Sequence, residues 1–217
     1  MKVKAAVVFE TAKHPFTNTQ PLKIEEVDLD PPGQGEVLVK VMAAGLCHSD
    51  LSAIEGVRPR KMPYVPGHEA AGIVEEVGEG VTRVKPGDHA ILFFVPNCGT
   101  CLSCDRGEPY LCDTAYEARS DGHLITGNHK IHLNGDVINH TSGVSCYSEY
   151  MVLAEGSVIP IEKDIPLEDA ALFGCAVITG VGAVVNTAAV TPGATVAVLG
   201  LGGVGLNAMM AANLSGA

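Results

Sequence analysis

The spacing of apolar and polar positions divides the chain into a strand-patterned first part and a helix-patterned end. Residues 2–9, 22–28 and 36–43 carry short, β-branched-rich runs that predict strands, separated by turn-forming stretches such as Pro31-Pro32-Gly33. Ile73 to Val77 and His89 to Val95 read as two more, parted by Gly78, Gly80 and Pro86-Gly87-Asp88. Ser148 to Ala154 and Val158 to Ile161 resume the pattern. Residues 96–115 form a loop dense in Cys, Gly and Pro, and 116–145 are polar, irregular and without an assignable element. After Pro166, Leu167-Glu168-Asp169 opens a helix through Ala170 to Val190, in two pieces near Gly174-Cys175. Thr195 to Leu199 is expected as a fully buried strand and Gly203 to Leu214 as a helix. The pattern thus predicts a mixed α/β chain: a β-rich domain over residues 1–165, and connecting helices with a first βα unit over 166–217. No internal repeat is evident.

Composition sharpens this outline. Hydrophobic residues make up 47% of the chain, which excludes disorder. Aromatic residues are 5% and Trp is absent, so the core must be built from Val, Ala, Leu and Ile. A length of 217 residues suffices for one complete domain and part of a second. Fourteen basic against 25 acidic residues leave a net charge of −11, which opposes a phosphate backbone or an anionic membrane. The uncharged stretch from Ala170 to Ala217 is long enough to cross a bilayer. Gly174, Thr179, Gly180, Gly182, Asn186 and Thr187 dilute it, however, and Pro192-Gly193 divides it. A buried helix followed by a buried parallel strand accounts for it, and no membrane association is expected. Met1-Lys2-Val3-Lys4 leads directly into a strand, without the apolar region of a signal peptide, which points to the cytoplasm. In that compartment the seven cysteines are expected as metal ligands or free thiols.

Cys98, Cys101, Cys104 and Cys112 are spaced C-x2-C-x2-C-x7-C. Four thiolates so close can surround one ion tetrahedrally, as closed structural zinc sites do. A loop this poor in apolar residues cannot fold by burial, so metal binding would supply the free energy. The rival is an iron–sulfur cluster, since C-x2-C-x2-C also opens ferredoxin motifs. Those continue with x3-C-P, whereas here the gap is seven and Asp113 follows.

A second constellation is dispersed: Cys47-His48-Ser49-Asp50, Gly67-His68-Glu69 and Gly174-Cys175. Each piece alone is weak, because a lone Gly-His-Glu is usually a turn and a lone buried Cys a small hydrophobe. In combination they offer Cys47, His68 and Cys175, the two-Cys, one-His set that leaves zinc's fourth position open. Such a position binds an alcohol oxygen and lowers its pKa. Near the end, Val196 to Leu199 leads into Gly200-Leu201-Gly202-Gly203-Val204-Gly205, a G-x-G-x-x-G placed between a predicted strand and a helix. In that context Gly200 serves the tight turn, Gly202 the approach of a pyrophosphate, and Gly205 close helix–strand packing. The acid expected about twenty positions later, on the adenine ribose, would fall beyond Ala217, so the sequence reads as a fragment of a longer protein.

These pieces, their order and the cysteine lobe between them resemble the zinc-dependent medium-chain alcohol dehydrogenases over essentially the whole chain. The resemblance implies a GroES-like β-rich catalytic domain followed by the beginning of a Rossmann domain. It implies two zinc ions per chain: a catalytic ion on Cys47, His68 and Cys175, and a structural ion on Cys98, Cys101, Cys104 and Cys112. Glu69 matches the acid beside the catalytic zinc, Asp50 the carboxylate that orients the ligating histidine, and Ser49 the hydroxyl that takes the substrate proton. Matches to the NAD or NADP site are His48, Thr179, Gly200, Gly202, Gly203, Val204 and Gly205; the alternative for His48 is a surface histidine. Ser52 stands where the family's relay histidine usually lies. Cys175 points to the alcohol- or aldehyde-active branch, since polyol dehydrogenases use an acid there. Phe173-Gly174-Cys175, Thr179-Gly180 and Val185-Asn186-Thr187 resemble the glutathione-dependent formaldehyde dehydrogenase class. The implied partners are a small alcohol or aldehyde and, for the whole enzyme, further copies of itself. A zinc-binding fragment without dehydrogenase activity is the alternative. A nucleic-acid module is disfavoured by the acidic balance and by the lack of a basic, aromatic-rich stretch around the lobe.

Overall fold

The computed structural model describes all 217 residues and contains ten strands in two sheets. β1 (Lys2–Val8), β2 (Leu22–Leu29), β4 (Tyr64–Val65), β7 (Ile131–Leu133) and β8 (Asp136–His140) close into a barrel in the order β1-β2-β7-β8-β4. β3 (Glu36–Ala44), β5 (Ala70–Val77), β6 (His89–Leu92), β9 (Tyr150–Ala154) and β10 (Val158–Ile161) form a second sheet in the order β10-β6-β5-β3-β9. β4 and β8 run parallel; every other pair is antiparallel.

Two cores explain why β3 is apolar at three successive positions, Val37 to Val39. Val37 and Val39 face a cluster with Ala70, Val74, Leu92, Met151 and Leu153. Leu38, pointing the other way, joins Val3, Val27, Ile138 and Val152. A strand covered on both faces loses its polar alternation. β9 behaves alike, with Met151 and Leu153 in one cluster and Val152 in the other. Each Val or Leu buried this way contributes roughly 1.5–3 kcal/mol.

One charge is enclosed where β3 begins. Glu36 is fully buried, and its carboxylate accepts from Lys130 Nζ at 2.8 Å, Thr126 Oγ1 at 2.6 Å, Asn128 Nδ2 at 2.7 Å and the Gly33 amide at 2.7 Å. Burial works against its ionisation, but Lys130 and the three other donors hold the carboxyl below the usual range. The network ties the 126–130 loop to the central sheet.

The strands predicted before residue 162 are present with ends shifted by a few residues; the His89 strand stops at Leu92. The unassigned 116–145 stretch takes in most of a helix, Asp113–Asp121, together with β7 and β8. The helix after Pro166 runs from Leu167 to Thr187, with π-helical turns at Phe173–Val177 and Ala183–Thr187. By length and composition this run is long and apolar enough to cross a membrane. It is only partly buried, contrary to the expectation: Ala170 and Ala171 pack on Ala71 and Ile91, and Val184 on Ala211 and Ala212, while Leu172 and Val185 are exposed. Residues 195–199 also depart from the buried strand expected there. No other segment of the chain pairs with them, and Leu199 is 93% exposed. A parallel strand is buried by flanking strands and by helices on both faces, and these residues have no such flanks here. The helix Gly203–Leu214 forms as predicted.

Candidate metal centre and adjoining clefts

Three separate backbone devices bring the dispersed residues together. Cys47 occupies the extended position just before the helix His48–Ile54, so its thiol leaves the chain where strand geometry gives way to helix. Asp50, in that helix's first turn, is buried. His68 and Glu69 enter from the turn between β4 and β5, where Gly67 has φ +96°. A Cβ on Gly67 would lie 2.5 Å from Tyr147 Cδ1 and 2.7 Å from Cys146 Sγ, so backbone conformation and space both require glycine. Cys175 comes from the π-turn Phe173–Val177, which lies flush on β6 because Gly174 has no side chain; a Cβ there would run into the Leu92 carbonyl.

The ligand atoms of Cys47, His68, Glu69 and Cys175 all lie within 4.8 Å of one another. Asp50 Oδ1 accepts from the Gly67 amide at 3.1 Å and lies 3.2 Å from His68 Nδ1. That contact leaves Nε2 as the histidine's free lone pair, facing the cluster. Ser49 Oγ is 3.1 Å from Cys47 Sγ and 3.2 Å from His68 Nε2. Burial, with Glu69 and Cys47 adding to it, pushes the Cys175 thiol well above its usual range. Thiolates and a carboxylate crowded in this way suit a divalent cation, which offsets their repulsion and deprotonates the thiols. The donor set therefore fits zinc, with Glu69 in reach of the fourth position.

The four lobe cysteines are equally gathered. Cys101 Sγ is 3.5 Å from Cys104 Sγ and 3.9 Å from Cys112 Sγ. A zinc–sulfur bond of about 2.3 Å implies a tetrahedral S···S edge of about 3.8 Å, so the spacing fits one ion. Backbone amides point at the sulfurs: Cys101 N at Cys98 Sγ (3.3 Å), and Cys98 N and Ala115 N at Cys112 Sγ (3.3 and 3.4 Å). Hydrogen bonds from Thr114 and then Thr100 pull the Cys98 thiol down to about 5. Leu102, Tyr110 and Leu111 are exposed, so no apolar core holds the loop. The seventh cysteine, Cys146, is buried and donates to the Glu69 carbonyl at 3.4 Å, outside both ligand sets.

Two clefts meet at the dispersed set. One, of about 600 Å³, is bordered by His48, Glu69, Gly200, Gly202, Gly203 and Gly205. The other, of about 300 Å³, is bordered by Ser49, Asp50, His68, Phe94 and Thr179; Cys47, Cys175 and Val204 belong to both. Gly200 takes φ +93°, a Cβ on Gly205 would strike the Gly200 carbonyl, and a Cβ on Gly202 would meet nothing within 4 Å. The turn is thus tight where the helix crosses it and open where a ligand can approach. His48 is exposed, with Nδ1 3.3 Å from Ser52 Oγ, so the residue in the usual relay position touches the histidine beside Cys47. Three neighbours escaped the sequence reading. Tyr147, whose hydroxyl lies 3.0 Å from the Gly45 carbonyl and 3.2 Å from Asp50 Oδ2, sits next to Cys146 but in no recognisable motif. Arg60 and Arg119 border the smaller cleft from two segments 59 positions apart by number (119 − 60).

A GroES-like fold bearing a closed four-thiol set and an open mixed set defines the β-rich catalytic domain of the medium-chain alcohol dehydrogenases. Residues 33–163 match the alcohol dehydrogenase GroES-like domain family, and the chain belongs to it. It is 47% identical over 207 residues to an S-(hydroxymethyl)glutathione dehydrogenase of Synechocystis, covering 95% of this chain and 54% of that protein. Among solved structures it is similar to an alcohol dehydrogenase zinc-binding domain protein from Burkholderia ambifaria (TM-score 0.90, 35% identity, 100% of this chain and 57% of that one). Benzyl alcohol dehydrogenase from Acinetobacter calcoaceticus is similar at TM-score 0.88 and 33% identity, with the same coverage. The chain spans about half the length of the curated relatives it matches.

Proposed function

We propose that this chain is the zinc- and alcohol-binding half of an enzyme that oxidises a small alcohol to the aldehyde or ketone by hydride transfer to NAD or NADP. The observation that carries the reading is the meeting of Cys47, His68, Glu69 and Cys175 within 4.8 Å, between a small cleft and a glycine-rich turn. Bound zinc would supply a Lewis acid that lowers the pKa of the alcohol and polarises the carbonyl in reverse. Cys47, His68 and Cys175 would hold it, with the Glu69 carboxylate in the same cluster. Asp50 fixes the ring of His68. Ser49 takes the alcohol's proton, since its hydroxyl lies against both Cys47 and His68. Thr179 and Val204 would lie toward the nicotinamide, and His48 with Gly200, Gly202, Gly203 and Gly205 toward the pyrophosphate, to which the amides at the start of Gly203–Leu214 would donate. The relatives named as S-(hydroxymethyl)glutathione dehydrogenases favour the formaldehyde-class branch.

One observation favours a narrower second reading for the 217 residues alone: residues 195–199 lack partner strands, so the dinucleotide site consists of its phosphate turn. On that reading the chain binds two zinc ions without turnover. Metal analysis and an NADH assay test both together. About two zinc ions per chain are expected, and Cys175→Ser should release one while the lobe keeps its own. Iron in place of zinc, or loss of both ions together, overturns the site assignment. NADH formation from a primary alcohol by the 217-residue chain overturns the narrower reading.

A further inference from the structure

Tyr147 belongs to neither ligand set and to no motif, yet its bonds reach the segments that carry Cys47, Asp50 and His68. Its amide donates to the Pro66 carbonyl at 3.1 Å, and the amide of Cys146 before it to the Gly67 carbonyl at 3.1 Å. Its own carbonyl accepts from the Ala6 amide of β1 at 2.8 Å. The ring lies against Gly67, where an added Cβ would meet its Cδ1 at 2.5 Å. At the far end of the ring, the hydroxyl lies 3.0 Å from the Gly45 carbonyl and 3.2 Å from Asp50 Oδ2. Gly45 stands two residues before Cys47, and its amide donates to the Glu69 carbonyl at 2.8 Å. One half-buried side chain thus spans the strand end before Cys47, the helix turn that holds Asp50 and the turn that holds His68.

Packing alone does not account for the hydroxyl. A phenylalanine would fill the same space against Gly67 and keep the backbone bonds of residue 147. It would not hold Asp50. Of that carboxylate's two oxygens, Oδ1 accepts from the Gly67 amide and faces His68 Nδ1, while Oδ2 has the tyrosine alone. The terminal torsion of a carboxylate is broad, so one tethered oxygen leaves its plane free to turn and two do not. A ligating histidine takes its orientation from the group on its other nitrogen, so the plane of Asp50 sets the direction of His68 Nε2. The hydroxyl shares its one proton with the Gly45 carbonyl, and so ties that direction to the backbone just ahead of Cys47. Burial, then the charge of Asp50, then Cys146 raise the phenol well above its usual range, which keeps the proton in place.

We propose that Tyr147 is a positioning residue of the open metal set. By holding Asp50 Oδ2 and the Gly45 carbonyl at once, its hydroxyl aligns Cys47 and His68 with each other before an ion binds. The proposal rests on the zinc reading of that set. Its sign separates position from charge. A donor on Oδ2 draws charge from Asp50, so without it the carboxylate is more basic and His68 the better ligand. Were charge all that mattered, loss of the hydroxyl would tighten the metal. Loss of alignment loosens it.

Tyr147→Phe tests it in the whole 217-residue chain, loaded first with zinc and then with cobalt(II). Chelator competition should show the zinc dissociation constant at Cys47, His68 and Cys175 rising about tenfold, the lower end of what losing an outer partner costs. The lobe's constant should not move, because none of its four cysteines bonds to Tyr147. The visible d–d bands of cobalt in the open set should broaden as the ligand angles spread. They are read as the difference from Cys175→Ser, which carries the lobe's ion alone. An unchanged or lower zinc constant in Tyr147→Phe overturns the proposal, and so does a loss shared equally by both sites. A metal-free variant that no longer melts cooperatively would make the tyrosine a prop of the fold and overturn it too. A wild-type chain that takes up only the lobe's ion sinks the zinc reading, and the proposal with it. Equal constants in two chains that both fill the open set sink the proposal alone.

Discussion

Asp50→Asn removes one charge beside His68 and no volume. Asp50 is 5% exposed; its Oδ1 accepts from Gly67 N at 3.1 Å and lies 3.2 Å from His68 Nδ1, and its Oδ2 lies 3.2 Å from the Tyr147 hydroxyl. An asparagine keeps Oδ1 for the first two partners. Its amide nitrogen would meet Tyr147, whose hydroxyl can turn its single proton to the Gly45 carbonyl, 3.0 Å away, and accept from the amide. The hydrogen bonds survive. What disappears is the negative charge that favours the Nδ1–H tautomer and makes Nε2 a better donor to a metal. Losses of this kind weaken metal binding roughly 10- to 100-fold, or about 1.4–2.8 kcal/mol. Chelator competition on the zinc-loaded chain measures it, with the lobe's ion as an internal reference because its cysteines do not touch Asp50. The dissociation constant at Cys47, His68 and Cys175 should rise by that factor while the lobe's stays put and the metal-free chain melts where it did. An unchanged constant would refute the argument that Asp50 acts through its charge, and a large drop in metal-free stability would show that the carboxylate holds up the fold instead.

Lys130→Met leaves the fully buried Glu36 without its cation and should cost about 3–5 kcal/mol, read from the urea midpoint. Glu36→Gln in the same chain should recover part of the loss, and an unshifted midpoint would show the pair to be dispensable. Stability should also fall in mild acid because of His140, which burial, with His129 and then His123 and Lys130 against it and Glu36 in its favour, brings down to about 3. The unfolded chain's histidine takes up a proton near 6.5 and the folded one does not, so stability is complete above that pH and declines between about 6.5 and 3. The full span amounts to roughly 4–5 kcal/mol. His140→Gln should flatten the pH dependence of the denaturation midpoint relative to wild type, and parallel curves would refute the assignment.

Local signals carried most of the fold and the four-cysteine cluster, whereas the dispersed Cys47, His68 and Cys175 set was legible only when its pieces were read together. Cys98, Cys101, Cys104 and Cys112 fall within fifteen residues, and β1, β2 and β3 announce themselves by their own runs of Val and Ile. The failures share a cause, dependence on partners far along the chain. Glu36 looks like a surface residue until Thr126, Asn128 and Lys130 arrive some ninety positions later. Residues 195–199 have the composition of a buried strand, but composition cannot supply flanking strands. The helix Asp113–Asp121 went unrecognised because it buries only Ala115 and Ala118, too little apolar surface to leave a periodic mark among polar residues. Arg60 and Arg119 share a cleft because β8 bonds to both segments, through Asn139 N to the Pro63 carbonyl and His140 N to the Gly122 carbonyl.

That polar helix links the cysteine lobe to the smaller cleft. Cys112, one of the four gathered lobe cysteines, is also its cap: its sulfur accepts the Ala115 amide, and Arg119 sits in the last turn of the same helix. Whatever fixes Cys112 therefore fixes where the helix begins, and with it where the guanidinium of Arg119 ends up. An ion held by the lobe would then set, from a distance, the position of one wall of the smaller cleft. Protein prepared with an empty lobe would be expected to differ in the cleft as well as in the loop, a reason to count bound metal before comparing preparations.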